Sequence, residues 1–189
     1  MPGRIRWETD LKKALERREA REKPVLIFFH DPGVTDSRKR DALTYPDQTV
    51  IDLIEENVVP VKLSNDVAPW ADKYKVTWMP TLITVNGEGK EHHRAVGFLP
   101  PEELIPSVLL GVGKVHFDAD RIGRALQYFD QIVEKYPRSE STAEAIYLKG
   151  ICQYKSTHNA KPLKMAYERL QADYPASIWT KRAYPYRLL

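Results

Sequence analysis

Between Arg4 and about Val108 the apolar positions switch repeatedly between two periods. Trp7, Leu11, Ala14, Leu15 and Arg18 fall at helical spacing, and Thr9 or Asp10 stands where a side chain caps a first turn. Pro24 leads into Val25–Phe29 ("VLIFF"), the short unbroken apolar run of a strand buried on both faces. Val50, Leu53, Ile54 and Val58 line one side of a second helix, and Val58–Leu63 ("VVPVKL") reads as the next strand. A short helix, "APWADKYKV", carries the chain to Met79–Val85 ("MPTLITV"). Asn86–Gly89 ("NGEG") is a hairpin signal, because an Asn-Gly pair tolerates the positive φ of a tight turn. It is expected to pair "TLITV" with His92–Phe98. "PPEELIPSVL" then opens a helix, Pro and Glu being suited to a first turn. The order implies a parallel strand pair joined to an antiparallel hairpin, with helices on both faces.

After Gly113 the strand period disappears and the chain repeats itself. Glu134–Ala145 ("EKYPRSESTAEA") recurs as Ala172–Ala183 ("ADYPASIWTKRA"), offset by 38 residues. Tyr136, Pro137, Ser139, Thr142 and Ala145 match Tyr174, Pro175, Ser177, Thr180 and Ala183, and Phe129 and Ile132 fall opposite Tyr167 and Leu170. A period of this size signals stacked helical hairpins, and two units are fewer than the roughly three that such an array needs to bury a core of its own. The helices are therefore expected to lean on the first domain or on another chain.

Composition narrows the class without choosing a role. With 42% hydrophobic and 29% charged residues the 189-residue chain is globular rather than disordered. Its net charge of +3 is a weak bias, and its bases alternate with acids (Leu11–Lys23, "LKKALERREAREK"), which argues against a nucleic-acid surface. No run approaches the ~18 apolar residues of a membrane span. The N-terminus has no apolar signal core, and the single cysteine, Cys152, cannot form an internal disulfide; both make the cytoplasm the expected compartment.

The first half resembles the thioredoxin fold. The likeness covers about residues 4–108 and rests on the order and spacing of "KPVLIFF", "VVPVKL", "WMPTLITV" with "NGEGK", and "VGFLPPEEL". The last third resembles a tetratricopeptide array: Gly113, Ala125, Phe129 and Pro137 sit at that repeat's spacing, and Gly150, Leu163, Tyr167 and Pro175 follow with one extra residue. The implied architecture is an α/β thioredoxin-like domain over 4–108, a central mixed sheet with helices on both faces, followed by an all-α helical-repeat region over 109–189. Aligned on Thr44–Val50 ("TYPDQTV"), the two family cysteines fall at Val34 and Ser37, the preceding tryptophan at Gly33, and the buried aspartate that assists proton transfer at Phe28. Serine cannot replace a thiol here, because disulfide exchange needs sulfur as nucleophile and as leaving group. The resemblance further implies a cis bond before Pro80 and a peptide-binding edge at Trp78, Met79, Pro80 and Thr81, with the alternative that Pro80 merely shapes its loop and Trp78 packs into the core.

Other constellations are weaker. "DSRKRD" (Asp36–Asp41), with Arg38 and Arg40, offers an anion site or simply a solvated helix face. His30, Asp31, His92 and His93 do not make a metal site, because neighbouring residues on a strand point to opposite faces. Cys152 lies among apolar neighbours, as packing thiols do. No catalytic motif is found. The expected function is a redox-inactive, non-enzymatic protein-binding adaptor or accessory subunit, without cofactor, engaging a protein partner or a second copy and neither nucleic acid nor membrane. The alternatives are a redox protein acting through Cys152 and a holdase acting through the peptide groove.

Overall fold

A computed structural model of the chain describes residues 4–17, 22–39, 41, 44–64 and 68–189. The chain forms two compact units, Met1–Val115 and His116–Leu189. The boundary lies inside one helix and is seven residues beyond the 108/109 division read from the sequence.

The first unit is built on a four-stranded mixed sheet in the order β2-β1-β3-β4: β1 (Val25–His30), β2 (Val59–Ser64), β3 (Thr81–Val85) and β4 (Glu91–Val96). β1 runs parallel to β2, with Val25 opposite Val59, and antiparallel to β3, with Val25 opposite Val85. Its unbroken apolar run explains the central place, since Val25–Phe29 are buried on both faces. On one face Val25, Ile27, Phe29, Val61, Leu63, Ile83 and Val85 meet Leu11 and Ala14 of α1 (Leu11–Glu16). Full burial of each such side chain contributes about 1.5–3 kcal/mol before entropy is subtracted. On the other face α5 (Pro101–Asp118) crosses Thr84. A Cβ at Gly111 would stand 2.4 Å from Thr84 Oγ1, so glycine is what lets the helix approach.

Two local expectations are corrected. Of the two caps offered by the sequence it is the Asp10 carboxylate that accepts from Lys13 N, so the first helix starts at Leu11 and Trp7, despite its helical spacing, lies before it. The preceding segment is extended because the edge of β2 uses it: Glu8 N donates to Pro60 O at 2.9 Å, and Lys62 N donates to Glu8 O at 2.8 Å. Arg18, assigned to the same helix, lies outside the described residues. The β3–β4 turn is closed by Gly89, at φ 78°, and not by positive φ at Asn86-Gly87. Asn86 N donates to Lys90 O, Gly89 N donates to Asn86 O, and the side-chain Oδ1 of Asn86 accepts from Glu88 N and Lys90 N. Asn86 thus organises the loop with its side chain, and the residue that needs left-handed backbone comes three positions later.

Three short helices join the strands: α2 (Thr35–Lys39), α3 (Gln48–Asn57) and α4 (Ala68–Lys73). Asp47 caps α3 by accepting from Thr49 N and Val50 N, and the helix buries Val50, Ile51, Leu53 and Ile54. Helix α5 tolerates Pro106 near its start, where the one helical hydrogen bond that proline forgoes would have ended on Glu102.

The second unit is helical: α6 (Ile122–Lys135), α7 (Ser141–Thr157), α8 (Lys161–Asp173) and α9 (Ile178–Ala183), then a 3-10 turn over Tyr184–Leu188. The 38-residue offset is reproduced in its bonding. Thr142 Oγ1 donates to Tyr136 O at 2.5 Å and Thr180 Oγ1 to Tyr174 O at 2.6 Å. Ser139 N donates to Tyr136 O, and Ser177 N to Tyr174 O, both at 3.0 Å. The two serine hydroxyls each accept from the backbone two residues on. Ala145 and Ala183 are both fully buried. The matched letters are therefore the parts of one helix-to-helix joint made twice.

Candidate functional site

At the end of β1 the chain turns through Asp31, whose carboxylate accepts from Gly33 N at 2.7 Å while its carbonyl accepts from Val34 N at 3.0 Å. This turn delivers the chain into α2, where Arg38 N donates to Val34 O. Val34 is half-buried at the head of that short helix, and Ser37 lies within it. Across from this turn is the segment before β3. Trp78 O accepts from Thr81 Oγ1 at 2.7 Å, the Met79–Pro80 peptide bond is cis, and Pro80 O accepts from Gly97 N at 2.8 Å. Among the described residues neither the N–H nor the C=O of Met79 has a hydrogen-bond partner.

These two segments enclose a cavity of about 330 Å³ lined by Asp31, Val34, Val76, Thr77, Trp78 and Met79. The structure therefore joins Val34 to Trp78 and Met79. Pro80 and Thr81 are buried behind the wall and do not line it. Trp78 is 61% exposed, which removes the alternative that it packs into the core. Asp31, Val76 and Thr77 were missed as lining residues. Val76 and Thr77 carry only their nearness to Trp78 as a signal in the sequence, and Asp31 stands out there only beside the histidines.

Beneath the turn, Phe28 fills the position where the resemblance places an acid. It is fully buried among Tyr45 at 5.1 Å, His30 at 5.4 Å and Trp7 at 5.9 Å between ring centroids. Lys62 Nζ lies 5.5 Å from its ring centre and pairs with Asp41 at 2.7 Å. The base of the site is thus aromatic, with no carboxylate at that position to take a proton.

The remaining candidates do not assemble. Among the described residues no group of three or more His, Cys, Asp and Glu side chains converges as a metal site requires. The argument from strict alternation fails at His92, where the β3–β4 register slips: Thr84 faces His93 but Val85 faces Glu91. His93 instead bonds Ser107 of α5 at 3.0 Å, and burial, assisted by Lys114, lowers its pKa to about 3. Helix α2 has five residues, Lys39 stands 3.9 Å from Asp36 and Arg38 is exposed; Arg40 lies outside the described residues. Cys152 is fully buried in α7, and burial pushes its thiol up to about 12. No helix among the described residues is long and apolar enough to cross a membrane.

Comparison with known proteins agrees with this geometry for the first unit. A search of curated protein sequences finds no match. Among solved structures, a putative disulphide-isomerase from Bacteroides thetaiotaomicron is 24% identical, with a TM-score of 0.52 over 59% of this chain and 96% of that one. A thioredoxin from Thermus thermophilus, also 24% identical, gives 0.48 over 55% and 83%. A thioredoxin-fold protein from Helicobacter pylori, 15% identical, gives 0.44 over 78% and 99%. The family model described as a thioredoxin-like domain matches residues 11–108, more than half of the chain. The chain belongs to the thioredoxin-like domain family.

Proposed function

We propose that this protein binds an extended protein segment through its first unit without disulfide chemistry, and serves as an adaptor or accessory subunit. The carrying observation is the cavity itself. It joins Val34, where a family cysteine would stand, to the unpaired backbone of Met79 and the exposed ring of Trp78, and no sulfhydryl lines it. An unpaired main-chain edge beside apolar side chains suits strand-like recognition. The second unit, read as a tetratricopeptide-like pair of repeats, would supply a further protein-binding surface.

The redox alternative depends on Cys152. A thiol with a pKa near 12 is almost entirely protonated at neutral pH, and disulfide exchange needs the thiolate. The same lone, buried thiol suits a reducing compartment such as the cytoplasm. A holdase would use the same groove for many clients instead of one.

The deciding experiment is affinity purification from the native organism, followed by mass determination of the intact complex, with Trp78→Ala plus Met79→Ala in parallel. A partner in defined stoichiometry that the double variant loses supports the reading. A partner retained by the double variant moves the interaction off this groove. Strictly monomeric, partnerless protein overturns the adaptor role, as would insulin reduction by the wild type that Cys152→Ser abolishes.

A further inference from the structure

Among the described residues, a second cavity of the first unit shares no lining residue with the groove. It encloses about 520 Å³ between three parts of the chain: Arg4 and Trp7 beside the β2 edge, Lys62 on β2, and Asp41 and Tyr45 on the segment before α3. The size falls in the range of small-molecule sites, about 300–1,000 Å³. Its walls are aromatic, with the Trp7 and Tyr45 rings edge to face at 4.9 Å. Among the described residues that line it, the charges are two cations against one carboxylate. Lys62 gives one of its three N–H donors to Asp41 at 2.7 Å and keeps the others. Arg4 is exposed and has no ionic partner among the described residues, so a guanidinium with its fork of donors stands at the rim unopposed. Aromatic walls with one uncompensated positive charge select flat ligands that carry a negative one.

We propose that this cavity binds a small planar aromatic anion of one or two rings, its ring system against Trp7 and Tyr45 and its oxyanion shared by Arg4 and Lys62. The site does not depend on peptide binding in the groove, and it provides a place for a small-molecule effector or substrate in a protein whose family site holds no thiol.

The test is titration of the full-length protein with 1-naphthoate, 1-naphthalenemethanol and inorganic phosphate. It is followed by NMR at the indole N–H signals, of which the chain has four. Naphthoate is expected to shift the Trp7 indole saturably. The neutral alcohol and phosphate should each bind about tenfold more weakly or worse, because each lacks one half of the recognition. Arg4→Gln, at an exposed residue, should weaken naphthoate about tenfold and leave the alcohol unchanged. Three results would overturn the proposal: no saturable shift at Trp7, equal affinity for naphthoate and the alcohol in wild type, or a response centred on Trp78. Lys62→Met repeats the charge test, with the circular-dichroism melt confirming that the fold survives loss of the Asp41 pair.

Discussion

The two units bury their apolar residues by opposite strategies. In the first, Val25 lies between Val59 and Val85, so the core exists only after distant strands have met. In the second, each helix packs on its neighbour in sequence, and the joint at Tyr136–Thr142 is made again at Tyr174–Thr180. Close approach is obtained with glycine in both. Gly111 lets α5 reach the sheet at Thr84, and Gly150 lets α7 reach α8, where a Cβ would come 2.8 Å from that of Ala166. The lesson concerns function as much as stability. Long-range assembly creates concavities between unrelated segments, and both cavities described above belong to the unit built that way. Repetition instead produces a surface whose chemistry is legible from one period.

The comparison can be broken most forcefully at the cores. Phe28→Ala and Phe129→Ala each delete a fully buried ring and should cost about 3–5 kcal/mol in urea unfolding. Two transitions, each moved by only one of the substitutions, would show units that fold independently. One shared transition would show that they do not.

Acid supplies the next effect. Burial lowers the pKa of His93 in the first unit to about 3 and of His116 in the second to about 4; nearby Lys114 acts on His93, and Arg121 and Arg124 act on His116. Because the folded pKa lies below the unfolded value of about 6.5, the unfolded chain takes up the proton first. The stabilisation is complete above that value and is lost as pH falls toward 3 or 4. For His93 the loss between pH 6.5 and 5 should be about 2 kcal/mol. His93→Gln should flatten that slope in unfolding free energies measured across the same interval; an unchanged slope would place the acid sensitivity elsewhere.

Overpacking comes third. Gly111→Ala and Gly150→Ala should each destabilise by about 1–3 kcal/mol. Thermal melts in which Gly111→Ala costs more would fit its closer contact, with Thr84 Oγ1 at 2.4 Å. The smallest pair sharpens the claim of repetition. Thr142→Val and Thr180→Val each remove a hydroxyl that holds the preceding helix end, and each should cost about 0.5–1.5 kcal/mol. Unequal losses would mean that the two joints share a pattern without sharing its energetics.

How much could be read in advance follows the same division. Short apolar runs and the turn signal after them located these strands, because Val25–Phe29 and Thr81–Val85 must satisfy burial locally whatever else the chain does. The repeated joint was visible because its letters recur. The cap of α1 at Asp10 was one of two that the letters offered, whereas the helical spacing of Trp7 misleads, because hydrogen bonds join Glu8 to a strand much later in the sequence. The turn over Asn86–Gly89 was legible, but its positive φ falls at Gly89 because an Asn side chain can replace the backbone conformation that Asn-Gly suggests. In the candidate groove, Val34 and Met79 were legible through the family resemblance. Asp31, Val76 and Thr77 become neighbours only when the β1 turn folds against the β3 approach. The aromatic cavity was illegible for the same reason three times over, with walls from three separated segments.

The sequestered thiol of Cys152 makes this chain a convenient single-label reagent. Alkylating probes read thiolate and access, and the native sulfur offers neither at neutral pH. A cysteine introduced as V34C would then be the dominant reactive thiol, at the mouth of the groove. A fluorophore or spin label attached there would report on whatever enters, in the protein's own background and without first removing a native cysteine.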